Sequence, residues 1–310
     1  MSISKPGQVL DLKEGNILGI NYKKEIVEAF HGNNKLDKQS INRLYGKSNL
    51  LSNFNSRYLF IATHLENMSC KYFNQLLMLE NDQKVNLNKT PVQLLKDLNS
   101  AIHYYFSDYK SGDYFSTFRK DPSYFVYDFA KQLRELFTFL KKSDKKLFLL
   151  TNSLPGYTLQ NLQNQFDTNW QSIFDLVVMN GNKPNFFSKE NNQNFEKLHN
   201  YPNYPNVFKG GNITQLEKYL NIKNPEEVIY FGDNLIHDIR ATKKSCNWNN
   251  VAIIGQLINP KSVEKNTKID PSNYFNMGGN LSYSGCLIKK YSDYQLYSIL
   301  DLYSHINKIN

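Results

Sequence analysis

Three short apolar runs open the chain: Val9 to Leu12, Ile17 to Ile20 and Ile26 to Phe30. Polar breaks at Glu14-Gly15-Asn16 and at Asn21 to Lys24 separate them, which predicts strands joined by turns. From Tyr58 to Leu79 the apolar positions follow a mixed helical spacing, and Asn81 to Lys89 is a polar linker. Pro91 to Phe106 reads as a helix, with Thr90 as N-cap and Pro91 in the first turn. Leu94, Leu95, Leu98, Ile102 and Tyr105 then share one face.

Beyond Tyr124 the pattern changes. Helices are predicted over Phe125 to Leu140, Tyr157 to Phe166, Ile213 to Leu220 and Ile239 to Cys246. Strands are predicted over Lys146 to Leu150, Phe174 to Met179, Val228 to Phe231 and Val251 to Ile254. Short, wholly apolar strands alternating with helices predict an α/β fold, a parallel sheet with helices on both faces. Residues 261–281 read as loop-rich and Leu287 to Ile306 as a final helix. No internal repeat is visible.

Composition narrows the class. A chain of 310 residues suits one large or two small domains, and 40% hydrophobic with 21% charged residues describes a globular protein. No apolar run approaches the ~18 residues of a membrane span, and the start, MSISKPGQVLDL, has no apolar signal core. Cys70, Cys246 and Cys286 form no CxxC pair and fit reduced thiols in a cytoplasmic protein. The net charge of +9 would draw phosphate-bearing partners. However, Lys, Asn, Tyr, Phe and Ile are all abundant, and the basic residues come in short groups such as Lys141-Lys142. The charge therefore reads as compositional, and with no dense basic run or RNA-binding signature no nucleic acid is expected as a partner.

The chemistry lies in the short segments just after the predicted strands. Thr151-Asn152-Ser153 stands after the first, and Asn180-Gly181-Asn182-Lys183-Pro184 after the second. Gly232-Asp233 stands after the third, with Asp238 a turn further on. Ligands of such sheets sit beyond the carboxyl ends of the strands. A hydroxyl, an ammonium and two carboxylates on one sheet edge suit phosphoryl chemistry. The hydroxyl holds phosphate oxygens, the lysine neutralises charge and the carboxylates hold Mg²⁺. Each part has an ordinary alternative taken alone: Thr151-Asn152 as a helix cap, Lys183 as a solvated loop lysine, Asp233 as a turn residue, Asp238 as a cap. Their joint order is far more specific than any one of them.

LFLLTNS, NGNKPNFF and VIYFGDNLIHDI resemble the second, third and fourth motifs of the haloacid dehalogenase superfamily, in particular its cytosolic purine 5'-nucleotidase and 5'-nucleotidase domain-containing branch. LDLKEGNILGIN with AFHG, WQSIFDLVV, FKGGN and NWNNVAII are similar to further segments of that branch. The resemblance implies a Rossmann-like core with a mainly helical cap. The implied segments are a hairpin part of the core over 1–57, the cap over 58–123, the core over 124–260 and a C-terminal extension over 261–310. It implies Thr151 as the phosphate-binding hydroxyl with Asn152 beside it, Lys183 on the phosphoryl group and Asp233 on Mg²⁺. Asp238 would support either the metal or Lys183, and Gly210-Gly211-Asn212 would be a loop beside the site. Asp97, in LLKDL, is a candidate for cap contact with substrate, although no arginine stands just upstream of it in that helix as the purine enzymes would have. The implied substrate is a nucleoside monophosphate or another phosphomonoester, and a homo-oligomer is allowed for.

One motif of that superfamily is not found. A DxDxT at the end of the first strand supplies the nucleophilic aspartate and the acid–base aspartate. Here no two aspartates stand two positions apart. The resemblance begins just downstream of where the motif would lie, so the chain is expected to start too late to contain it. Asp11, after an apolar run, is a substitute only in position, because Lys13 stands where the acid would be. A central parallel strand is missing with the motif, and unpaired buried backbone groups cost roughly 1–3 kcal/mol each against a native stability of ~5–15 kcal/mol. Val9 to Leu12 or a partner protein are the candidates to fill the slot. The expectations are thus an incomplete Mg²⁺-dependent nucleotidase that is inactive as the 310-residue chain, or a nucleotide-binding, partner-binding pseudoenzyme.

Overall fold

The N-terminal apolar runs fold as strands, but of an antiparallel sheet. In the computed structural model, β1 (Val9–Asp11), β2 (Asn16–Ile20), β3 (Ile26–His31), β4 (Asn34–Lys35) and β5 (Tyr58–Phe60) pair in the order β4-β3-β2-β1-β5. The residues described are 4, 6–48, 50, 51, 57–107, 112–126, 128–198, 204–255 and 275–306. Among them the helices are α1 (Lys38–Tyr45), α2 (His64–Asn81), α3 (Pro91–Ser107), α4 (Asp113–Lys120), α5 (Ala130–Lys142), α6 (Pro155–Phe166), α7 (Ile213–Leu220), α8 (Ala241–Ser245), α9 (Tyr283–Tyr291) and α10 (Leu300–Ile306). The chain divides into two units. The first gathers Met1–His103, Asp233–Leu235 and Ala252–Gln295; the second gathers Tyr104–Gly232, Ile236–Val251 and Leu296–Asn310.

In the first unit, side chains alternate across the sheet as strand geometry requires. Leu10 and Ile17 pack with Phe73, Leu77, Leu94 and Leu95 of α2 and α3. Val9 and Leu18 face the other way, against Ile20, Ile26, Ala29 and Ile41. Thr90 caps α3 as predicted, and Gln93 completes a reciprocal box with it: the Gln93 backbone amide donates to Thr90 Oγ1 at 3.3 Å, and the Thr90 backbone amide donates to Gln93 Oε1 at 2.9 Å. Leu94 and Leu95 are buried, but Tyr105, expected on the same face, is 51% exposed.

β1 lies between β2 and β5, antiparallel to both, so Val9 to Leu12 is not available as a parallel core strand. Asp11 ends β1 fully buried and accepts from Arg57 Nε and Nη2, both at 2.8 Å, and from the Lys13 amide at 3.0 Å. Burial works to raise its carboxyl, but the bonds from Arg57 and Lys13 outweigh this and hold it below the usual carboxylate range. Asp11 is therefore an internal ion-pair partner, not a candidate nucleophile.

The second unit holds the predicted parallel sheet. β6 (Phe148–Leu150), β7 (Leu176–Met179) and β9 (Val207–Gly210) run parallel in that order, and β8 (Phe195–Lys197) adds antiparallel to β9. Leu176 and Val178 face a core with Ile213, Leu216 and Leu220 of α7. Val177 and Met179 face a second core with Leu159, Leu162 and Phe166 of α6. Helices thus cover both faces, as the wholly apolar strands required. β10 (Ile229–Gly232) is bonded to β11 (Asn249–Ile253). The mixed α/β architecture with parallel sheet segments is consistent with a haloacid dehalogenase-like fold. The single C-terminal helix expected over 287–306 is instead α9 and α10, separated by a strand at Tyr294–Leu296. Most of the loop expected over 261–281 lies outside the described residues.

Candidate functional site

The loops after β6 and β7 are stitched together by backbone bonds. The Thr151 amide donates to Val178 O and the Gly181 amide donates to Thr151 O, each at 2.9 Å. Asn180 and Asn182 bend the second loop with φ of 49° and 56°. Asparagine tolerates that left-handed backbone better than most side chains. Across the stitch, Asn152 Nδ2 donates to Lys183 O at 3.0 Å, and the Lys183 amide donates to Asn152 Oδ1 at 2.6 Å. Asn152 therefore fixes the backbone of Lys183.

Thr151 does not cap the following helix. Its Oγ1 accepts from the Ser153 amide at 3.0 Å, while α6 begins after Leu154 with no side-chain cap. Among the described residues no acceptor takes the Thr151 hydroxyl proton, and the first amides of α6 carry the positive end of a helix. The ordinary explanation of Thr151-Asn152 as a cap is thus not the one adopted.

The Lys183 ammonium turns back over the strand ends. It donates to Asp238 Oδ1 at 2.7 Å, to Tyr230 Oη at 3.1 Å and to Leu150 O at 3.3 Å. The Tyr230 hydroxyl in turn donates to Asp238 Oδ1 at 3.1 Å. Both charged side chains are largely buried, Lys183 at 10% and Asp238 at 3% exposure. Lys183 is accordingly not a solvated loop lysine.

Asp238 sits on a π-helical turn, Leu235–Arg240, that precedes α8. Such a turn leaves carbonyls without their usual helical donors. Thr242 Oγ1 donates to Asp238 O at 2.7 Å and Asn250 Nδ2 donates to Ile239 O at 3.1 Å, both from buried positions. Close approach also needs Gly232. A Cβ there would stand 2.4 Å from the Asp238 Cβ. Gly232→Ala is expected to cost about 1–3 kcal/mol through overpacking, read as a lower urea midpoint with an unchanged slope.

Thr151, Asn152, Lys183 and Asp238 come together in the second unit. Asp233 follows β10 directly, is exposed, and belongs with Asp97 to the first unit. Asp97 lies exposed on α3 and pairs with Lys89. Asn212 is the N-cap of α7, accepting from the Gln215 amide at 3.0 Å. A side chain on Gly211 would run into the Phe195 ring. That loop therefore has its own structural work. Burial pushes the Cys70 and Cys246 thiols up to about 12, so neither is an activated nucleophile. Sequence reasoning missed Tyr230, Thr242 and Asn250.

A profile described as the 5' nucleotidase family matches residues 3–276. The chain belongs to the 5'-nucleotidase family. Among similar proteins, human 5'-nucleotidase domain-containing protein 1 is 26% identical over 280 residues, covering 81% of this chain and 60% of that protein. Its bovine counterpart is 25% identical over the same span. Rat 5'-nucleotidase domain-containing protein 2 is 24% identical over 245 residues, covering 75% of this chain and 41% of that protein. The chain thus spans 41% to 60% of the length of these family members. The family match runs through the Thr151, Lys183 and Asp238 loops and also through the antiparallel sheet of the first unit. Among the described residues no helix is long and apolar enough to cross a membrane.

Proposed function

We propose that the 310-residue chain carries the phosphate-recognition part of a 5'-nucleotidase site and binds a nucleoside 5'-monophosphate or similar phosphomonoester without hydrolysing it. The observation that carries this reading is the Lys183 ammonium, fixed at the carboxyl ends of parallel strands beside the Thr151 hydroxyl loop. An ammonium so held supplies positive charge where phosphate oxygens would gather, and the hydroxyl supplies a directed donor.

The donor set bears on Mg²⁺. Asp238 Oδ1 already accepts from both Lys183 and Tyr230, and among the described residues no group of three or more His, Cys, Asp or Glu is placed to share a metal. We therefore assign Asp238 to Lys183, and keep Asp233 as the Mg²⁺ ligand that the fourth-motif resemblance implies. When bound, the ion would supply further charge neutralisation, through few protein ligands and its own waters.

Turnover needs a carboxylate nucleophile with a second acid nearby. Asp11 is spent on Arg57, and no aspartate pair of the DxD type occurs in the sequence. The 310-residue chain with Mg²⁺ and a panel of nucleoside 5'-monophosphates is expected to release no phosphate above background, while ³¹P NMR detects binding that Lys183→Met removes. Hydrolysis that depends on Mg²⁺ and disappears in Asp233→Asn would overturn the reading and require another nucleophile.

A second reading is favoured by the sheet edges. Among the described residues β6 is bonded to β7 on one side only, and β10 to β11 on one side only. Such edges accept a further strand. A strand that brings a DxDxT would convert the phosphate site into a hydrolase. Intact mass of the protein from its own cell decides between them. A mass well above 36.2 kDa with such a segment selects the hydrolase.

A further inference from the structure

We propose that Tyr230 is a positioning residue that sets the direction of the Lys183 ammonium. This rests on the reading of Lys183 as the phosphate-binding cation. A lysine ammonium is a point charge on a flexible four-carbon stem, and a single carboxylate contact does not fix where its other protons point. Here three N–H groups meet three acceptors: Asp238 Oδ1, Tyr230 Oη and Leu150 O. Tyr230 contributes twice, because it accepts from Lys183 and donates to Asp238, closing a triangle with sides of 2.7, 3.1 and 3.1 Å.

The phenol can act as a fixed point because its ring is held. Tyr230 is 5% exposed, with Phe148 stacked at 6.2 Å, Phe187 edge-on at 5.7 Å and Trp248 at 6.0 Å between ring centroids. The contacts also differ in kind. The bond to the neutral Leu150 carbonyl is the longest of the three at 3.3 Å, whereas Asp238 is charged and close. A phosphate oxygen reaching Lys183 therefore displaces the Leu150 carbonyl and leaves the Tyr230–Asp238–Lys183 triangle intact. Tyr230 serves to keep one proton of the ammonium aimed at the strand ends.

The test uses the whole chain, inorganic phosphate and Tyr230→Phe, which keeps the ring packing and removes only the hydroxyl. A buried, fully bonded lysine ammonium gives a slowly exchanging signal in ¹⁵N-edited NMR, and its loss in Lys183→Met identifies it. Tyr230→Phe is expected to keep the fold, lose that signal and weaken phosphate binding about tenfold. A role in packing alone would lower the melting temperature and leave the ammonium signal in place. If Tyr230→Phe retains both signal and affinity while Lys183→Met removes binding, the assignment of Tyr230 is wrong and the phosphate site stands. If Lys183→Met leaves phosphate binding unchanged, the phosphate site itself is wrong. The ammonium signal, which needs no ligand, then still reports whether Tyr230 orients Lys183.

Discussion

Arg57→Ala is expected to lose about 3 kcal/mol of stability at pH 7, because it strands a buried carboxylate. Asp11 has no exposure, and Arg57 reaches it with two parallel bonds of 2.8 Å. The Arg57 guanidinium also lies 4.9 Å from the Tyr58 ring centroid and 5.8 Å from that of Tyr45. Removing it thus loses packing as well as charge. Arg57 is 28% exposed, so solvent screens part of the pair and the lower end of the range for buried pairs applies. The pH dependence has a definite sign. The folded carboxyl of Asp11 lies below its ordinary value of 3.8, so the contribution of the pair is complete above that value. It is lost as the pH falls through the lower, folded value. Urea unfolding at pH 7 and at pH 3 should therefore show the gap between parent and Arg57→Ala shrinking in acid. The double variant Asp11→Leu with Arg57→Met should recover most of the loss, because an apolar pair needs no counter-charge. A loss under about 0.5 kcal/mol at pH 7 would mean that the pair behaves as a surface salt bridge.

The same ion pair shows where the sequence was legible and where it was not. VLDLKEGNILGIN announces a hairpin through its turn residues, and the hairpin is there. Nothing local marks Arg57 as the partner of Asp11, because the two stand 46 positions apart. The parallel core was readable because strands buried on both faces must be continuous apolar runs, as in LVVM. β8 was not, since Phe195–Lys197 carries one apolar residue and two charged ones, and its pairing is set by β9. The loops that bring Asn152, Lys183 and Asp238 together were singled out from order and spacing. What sequence could not supply was direction: which acceptor takes Lys183, or that Asn152 uses its whole amide on the Lys183 backbone. Tyr230 left one readable signal. A phenol in the otherwise apolar run VIYFG must find a hydrogen-bond partner when buried. Thr242 and Asn250 serve a π-helical turn that helical periodicity does not reveal.

Asp238→Asn separates the two roles that the sequence left open for this carboxylate. If Asp238 is the counter-charge of Lys183, the variant strands an ammonium that is 10% exposed and loses about 3 kcal/mol. That loss is expected to be the same with and without Mg²⁺, because the pair exists without the ion. Inorganic phosphate should then restore part of it, since the anion supplies the missing negative charge. At ten times its dissociation constant a ligand of the folded state adds about 1.4 kcal/mol. Lys183→Met should cost a similar amount, because it strands the buried Asp238 carboxylate with Tyr230 as its donor. In the double variant Lys183→Met with Asp238→Asn the two costs should not add, as expected for residues that share one bond. A metal-ligand role predicts the opposite pattern. Asp238→Asn would then match the parent in the absence of Mg²⁺ and differ only in failing to be stabilised when the ion is added. Thermal unfolding of the parent and the three variants, each with and without Mg²⁺ and phosphate, would assign Asp238 either to the lysine or to the metal.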